Sequence, residues 1–146
     1  MAMQPRLLSI FDILGPIMTG PSSSDTAGAT RIGLMGRQFL GAEPESVTIH
    51  FYSSLASTYK GHMTDSGVVA GLMGFGVDAP EISDALSVAA SRGISVAVDA
   101  DVASDRDPST IGMDLKSKDR SAGVSGLTVG GGEILVAAFD GFSVEL

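Results

Sequence analysis

GPSSSDTAGATRIGLMGRQFLG, residues 20–41, joins a serine-rich loop to an amphipathic segment. Pro21 stiffens the entry, and Ser22, Ser23, Ser24 and Thr26 supply hydroxyls. Ser24 or Asp25 stands where a helix N-cap is expected, its side chain accepting from the first free N–H groups. Ile32, Met35 and Phe39 then recur at three- and four-residue spacing, which predicts one apolar helical face, and Gly41 is the stop. Gly28, Gly33 and Gly36 inside that helix each cost about 1 kcal/mol against alanine. Their presence implies close approach of another backbone or of a ligand. A helix N-terminus offers partial positive charge and unpaired donors, so the loop can hold a carboxylate or phosphate. An ordinary serine-rich cap fits the same pattern, and the Asp25 carboxylate would compete with an anion for those donors.

Outward from this stretch, SVTIHFYSS (residues 46–54) alternates Val47, Ile49 and Phe51 with Thr48, His50 and Tyr52, the pattern of a half-buried strand. TDSGVVAGLMG reads as a second helix capped near Thr64 or Asp65. DAPEISDALSVAASRG reads as a third, with Pro80 in its first turn, Ile82, Leu86 and Ala89 as its stripe, and Gly93 after its end. Beyond Gly93 the period changes to two. ISVAVDA and TIGMDLKS alternate, and LTVGGGEILVAAFDGFSVEL reads as strand, glycine turn, strand, Asp-Gly turn, strand. DADVASDRDPS and KSKDRSAG are polar connections. Helices gathered in the first 92 residues and strands in the rest predict an α+β fold, helices packed on a mostly antiparallel sheet, with residues 1–146 as a single domain.

The 146 residues suffice for a hydrophobic core, and 44% are apolar, which argues against disorder. A formal net charge of −8 leaves no basic footprint for nucleic acid or for an anionic membrane surface. There is no cysteine, so disulfides, thiolate nucleophiles and cysteine-ligated clusters within this chain are excluded. The N-terminal MAMQPRLLSIFDILGP has an apolar run broken by Asp12, too short for a secretory signal, and no stretch approaches the roughly eighteen apolar residues of a membrane span. The expected location is cytoplasmic.

Three local patterns can carry chemistry. The first is the Gly20–Thr26 loop. The second is YKGHMTD, Tyr59 to Asp65, which sets a cation, a histidine, a hydroxyl and a carboxylate in one short turn. His62 suits a general base because imidazole titrates near neutrality, with Asp65 or Thr64 to orient it. A loop histidine beside a capped helix has the same spacing. The third is VGGGEI, Val129 to Ile134, whose glycines bare the backbone; it is neither a Walker A loop nor GxGxxG, and a hairpin turn explains it. His50 is the other histidine. Two histidines and no cysteine make a transition-metal site of this chain's own improbable.

Taken together and in order, SIFDILGPIMTGPSSSDTAGATRIG, YKGHMTD and LTVGGGEI resemble the β subunit, or β domain, of bacterial iron–sulfur L-serine dehydratase, from about Ser9 to Leu146. A related fold serves as an allosteric serine-binding domain in some phosphoglycerate dehydrogenases. The resemblance implies a lyase component that packs against a separate, cysteine-bearing α subunit. That subunit's [4Fe–4S] cluster acts as Lewis acid on the hydroxyl of L-serine, and loss of water leads to pyruvate and ammonia. It further implies that Ser22, Ser23, Ser24, Thr26, Lys60, Gly61, His62, Thr64 and Asp65 line or support the substrate site. His62 and Asp25 are the residues expected to carry catalysis, and the packing of related domains makes a homodimer the expected state.

The chain departs from the family pattern at three places. Asp25 stands where the family loop, GPSSSHT, has histidine; an ordinary carboxylate, with a pKa near ~3.9, is a weaker base than imidazole and adds negative charge where a substrate carboxylate approaches. Met63 stands in the position of the second glycine of GHGTD. The usual C-terminal ACT module is expected to be lacking, since the sequence given stops at Leu146. Three functions accommodate these features: a dehydratase β component working with an α subunit, a stand-alone cluster-free lyase, isomerase or cyclase using Asp25 and His62 as acid and base, and a non-catalytic module that binds a small carboxylate ligand or oligomerises.

Overall fold

The computed structural model describes residues 15–140 and 142–143. The N-terminal reading of residues 1–14 and the last three positions of the final expected strand lie outside them. The element order is a π-helical turn (Ser23–Gly28) running into α1 (Ala29–Leu40), β1 (Ser46–Tyr52), α2 (Ser53–Thr58), α3 (Thr64–Leu72), a 3₁₀ turn (Pro80–Asp84) continued by α4 (Ala85–Ser91), then β2 (Ser95–Asp101), β3 (Thr110–Lys116), β4 (Ser121–Gly130), β5 (Glu133–Phe139) and the short β6 (Phe142–Ser143). The strands form one sheet in the order β2-β1-β3-β4-β5-β6. β1 and β2 are parallel and every other neighbouring pair is antiparallel. The expected α+β architecture is therefore the one observed, with the first strand in sequence inserted among the later ones.

Alternation along the strands decides which face is covered. Val47, Ile49 and Phe51 of β1, and Ile111, Met113 and Leu115 of β3, are buried with Ile32, Leu40, Val68, Leu72 and Ile82 from the helices. The other face carries Thr48, His50 and Asp114. There the two His50 ring nitrogens meet carboxylates on both neighbouring strands, Nδ1 with Asp99 Oδ2 at 3.1 Å and Nε2 with Asp114 Oδ2 at 2.7 Å.

α1 and α3 pack against each other through glycines. A Cβ at Gly67 would lie 2.7 Å from the Thr26 carbonyl oxygen, while one at Gly33 or Gly71 would fall onto the carbonyl of Val68 or Thr30. The backbones touch because these side chains are missing. The helix glycines thus serve packing: Gly33 meets backbone, and a Cβ at Gly28 or Gly36 would meet the side chain of Thr128 or Met113, each at 2.8 Å.

Local sequence sets most element ends as expected. Gly41 and Gly93 end their helices at φ 76° and 78°. Two details differ. The cap of the first helix is Ser22, whose hydroxyl accepts from Asp25 N at 3.0 Å, in place of Ser24 or Asp25; the π-helical turn carries the chain one residue further around than an α-turn would. The helix expected after Asp78 begins as the Pro80–Asp84 3₁₀ turn before α4, and its buried stripe is Ile82, Ala85 and Ala89, with Leu86 40% exposed, because the tighter turn rotates the face.

Candidate functional site

The first helix entry and the YKGHMTD loop meet at the N-terminal end of the α1–α3 contact, where Gly67 lies against the Thr26 carbonyl, and that contact brings them together. Thr26, fully buried, donates its hydroxyl to the His62 carbonyl at 2.6 Å, and Thr30 donates to the Thr26 carbonyl at 2.9 Å. With its main chain fixed, the His62 ring reaches Asp25, Nδ1 to Oδ2 at 2.7 Å. Ser24 donates to the other Asp25 oxygen at 3.2 Å, and Ser22 lies 3.3 Å from Ser24, hydroxyl to hydroxyl. Asp25 therefore does not spend its carboxylate on the helix N–H groups: Ser22 takes those of Asp25, Thr26 and Ala27 through its hydroxyl and carbonyl.

This pair lines an open cleft of about 730 Å³. Its other walls come from α2 (Ser54, Leu55, Thr58), the turn before β3 (Asp107–Ser109), and the end of β4 (Leu127–Gly130). The glycine turn is held in place from the helix side. Gly131 and Gly132, at φ 60° and 80°, make the two-residue reversal between β4 and β5, and Arg31 of α1 donates to the Gly132 carbonyl.

In the neutral form of the ring, a carboxylate accepting from Nδ1 sets the proton on that nitrogen and the lone pair on Nε2. Nε2 has no hydrogen-bond partner among the described residues, and the His62 side chain is 45% exposed. The arrangement is a held base opening on a cleft with hydroxyls of Ser24, Ser54, Thr58 and Ser109 around it. The described lining residues include two carboxylates, Asp25 and Asp107, and no lysine or arginine.

Of the positions expected to contact substrate, Ser24 lines this cleft with Asp25 and His62. Ser22 and Thr26 stand behind it as supports. Ser23 is half-buried in the π-helical turn and Gly61 is exposed in the loop. Thr64 is fully buried with its hydroxyl unpartnered. Lys60 and Asp65 line a different groove, beside α4 and β2. Ser54, Thr58 and the Asp107–Ser109 turn reach the cleft without any signal in the sequence beyond polarity and an Asp-Pro turn.

A sequence profile of the serine dehydratase β chain matches residues 9–122. The chain belongs to the serine dehydratase β chain family. It is 39% identical over 138 residues to the probable L-serine dehydratase β chain of Bacillus subtilis (strain 168), and 30% identical over 139 residues to the L-serine dehydratase β chain of Peptoniphilus asaccharolyticus. In both cases the match takes in 94% of this chain and 63% of the relative. A match to the L-serine dehydratase β chain of Anaerotignum propionicum is 69% identical over 26 residues. The family's iron–sulfur chemistry does not fit the donors of this chain: it has no cysteine, and no group of three candidate metal ligands occurs among the described residues. No helix among those residues is long and apolar enough to cross a membrane.

Proposed function

We propose that this chain is the β component of an L-serine dehydratase, presenting the Asp25–His62 pair to L-serine at a face completed by an α subunit. The observation that carries the reading is the 2.7 Å bond between Asp25 Oδ2 and His62 Nδ1, which leaves Nε2 facing the cleft. In this reading His62 is the base that takes a proton from the amino acid. Asp25 holds its tautomer and offsets the imidazolium that forms, and Ser24 steadies Asp25. The absence of a cation among the described lining residues supports a shared site, because a substrate carboxylate needs a counter-charge that this wall does not provide. The [4Fe–4S] cluster is assigned to the cysteine-bearing partner, and this chain's own share is limited to binding and to proton handling at Nε2.

The test is anaerobic co-expression with a cysteine-bearing α chain from the same host, with pyruvate formation from L-serine as the readout. A complex that turns over serine, and loses turnover in His62→Asn, is the expected result. A chain that forms no such complex and turns over a substrate alone would overturn it. That outcome would favour the stand-alone lyase, which the same held imidazole would also serve.

A further inference from the structure

Lys60 and Asp65 share a loop with His62 yet face a separate groove of about 360 Å³. Asp65 opens α3 and is 8% exposed; one of its carboxylate oxygens accepts from Ser66 N at 2.8 Å. Among the described residues no cation stands within ion-pair distance of it. Burial pushes its carboxyl above the usual range, and neither the backbone N–H bonds nor the nearby Lys60 cancels that effect. A buried acid without a cation is costly, and asparagine could accept the same Ser66 bond. Tyr59 forms one wall, and the others are aliphatic: Leu86 and Ala90 from α4, then Ile94, Val96 and Val98. Leu86 and Val98 remain 40% and 36% exposed, so apolar surface stays wet.

We propose that this groove binds a free aliphatic α-amino acid, with its ammonium on Asp65, its carboxylate on Lys60 and its side chain against Leu86, Val96 and Val98. An anionic base, a cationic rim and an aliphatic wall match the three parts of such a ligand. The ammonium makes the charge-assisted hydrogen bond that Asp65 lacks in the free chain. The groove volume lies at the lower end of small-molecule pockets, on the order of 300–1,000 Å³. The site is separate from the Asp25–His62 cleft and does not rest on the dehydratase reading.

Calorimetric or ligand-observed NMR titration of the full chain tests it with three probes: L-leucine, 4-methylpentanoate, which lacks the ammonium, and 3-methylbutylamine, which lacks the carboxylate. L-Leucine should bind saturably below about 10 mM and 4-methylpentanoate should not. Asp65→Asn should weaken leucine at least tenfold, while Lys60→Gln should weaken leucine and spare the amine. Ala90→Phe fills the groove from the exposed side of α4 with Asp65 itself unchanged, and it should abolish binding. His62→Asn should leave leucine binding intact. Absence of saturable leucine binding, equal binding of 4-methylpentanoate, unchanged binding in Ala90→Phe, or loss of binding in His62→Asn would each overturn the proposal.

Discussion

Asp25→Asn tests the site with the least disturbance of the fold. The substitution keeps the side-chain volume and removes the charge from the acceptor 2.7 Å from His62 Nδ1. A hydrogen bond to a charged group contributes about 1.5–3 kcal/mol and a neutral one about 0.5–1.5, so the imidazolium formed during proton abstraction loses about 1 kcal/mol or somewhat more. The side chains of His62 and Asp25 are 45% and 25% exposed, so water competes and the lower end applies. The amide adds a second loss, because its NH₂ can face Nδ1 and drive the ring proton onto Nε2, where the lone pair is needed. In a fully buried Ser-His-Asp triad the equivalent change costs about 10⁴ in rate; for this half-open site the expected loss of kcat is about 10- to 100-fold. Global stability should fall by less than about 1 kcal/mol, because both side chains are partly exposed and water can replace the lost bond. Turnover with the α chain present and ¹⁵N NMR of the His62 ring give two independent readouts. If Asp25→Asn keeps kcat within about twofold and the ring keeps its Nδ1–H tautomer, Asp25 does not hold the base and the assignment fails.

Four further substitutions probe the frame. Thr26→Val leaves the His62 carbonyl without its 2.6 Å donor and should cost about 1–2 kcal/mol in urea unfolding, with kcat falling as well because the ring loses its anchor. Gly71→Ala drives a Cβ onto the Thr30 carbonyl, where no flexible side chain can yield, and should destabilise by about 2–4 kcal/mol in the same assay. For Asp65, burial raises the folded-state pKa above 3.8, so the folded chain binds more protons than the unfolded one between those two values. Stability therefore falls as pH rises through that window, and the penalty is fully present above it; Asp65→Asn should flatten this part of the pH–Tm profile and be at least as stable as the parent near neutrality. Met63→Gly should be near neutral in thermal unfolding. It relieves a φ of 55° worth about 1 kcal/mol, but it also frees the unfolded chain and removes a side chain packed against the core.

The sequence declares the elements whose neighbours in space are also local. Val47, Ile49 and Phe51 alternate and are buried, Gly41 ends a helix in the left-handed region, and the Asp140 turn forms where its dipeptide stands. It does not declare sheet order: β1 lies between β2 and β3, with α2, α3 and α4 between it and its parallel neighbour in sequence. No residue of β1 announces two different pairing directions. Asp25 and His62 were legible as chemically competent residues, but not as a bonded pair, because their separation closes only through the glycine seam of α1 and α3. The cleft's α2 and Asp107–Ser109 walls carry no local mark at all, since a hydroxyl or a turn acquires a role only from what faces it.

The YKGHMTD loop shows how a short segment can serve two surfaces. His62 points to the Asp25 cleft, Asp65 to the aliphatic groove, and between them Met63 takes φ 55° and ψ 34°. That conformation is open to glycine without strain, so a glycine at this position would fit the same turn. The left-handed step reverses the chain, seats Thr64 in the core and starts α3, whose glycines then dock on α1 and return Thr26 to the His62 carbonyl. Site and fold are closed by the same contact. Loss of the α1–α3 seam should therefore release His62 and uncover the sheet together, since Ile32, Val68 and Leu72 of those helices also cover the buried face of β1 and β3.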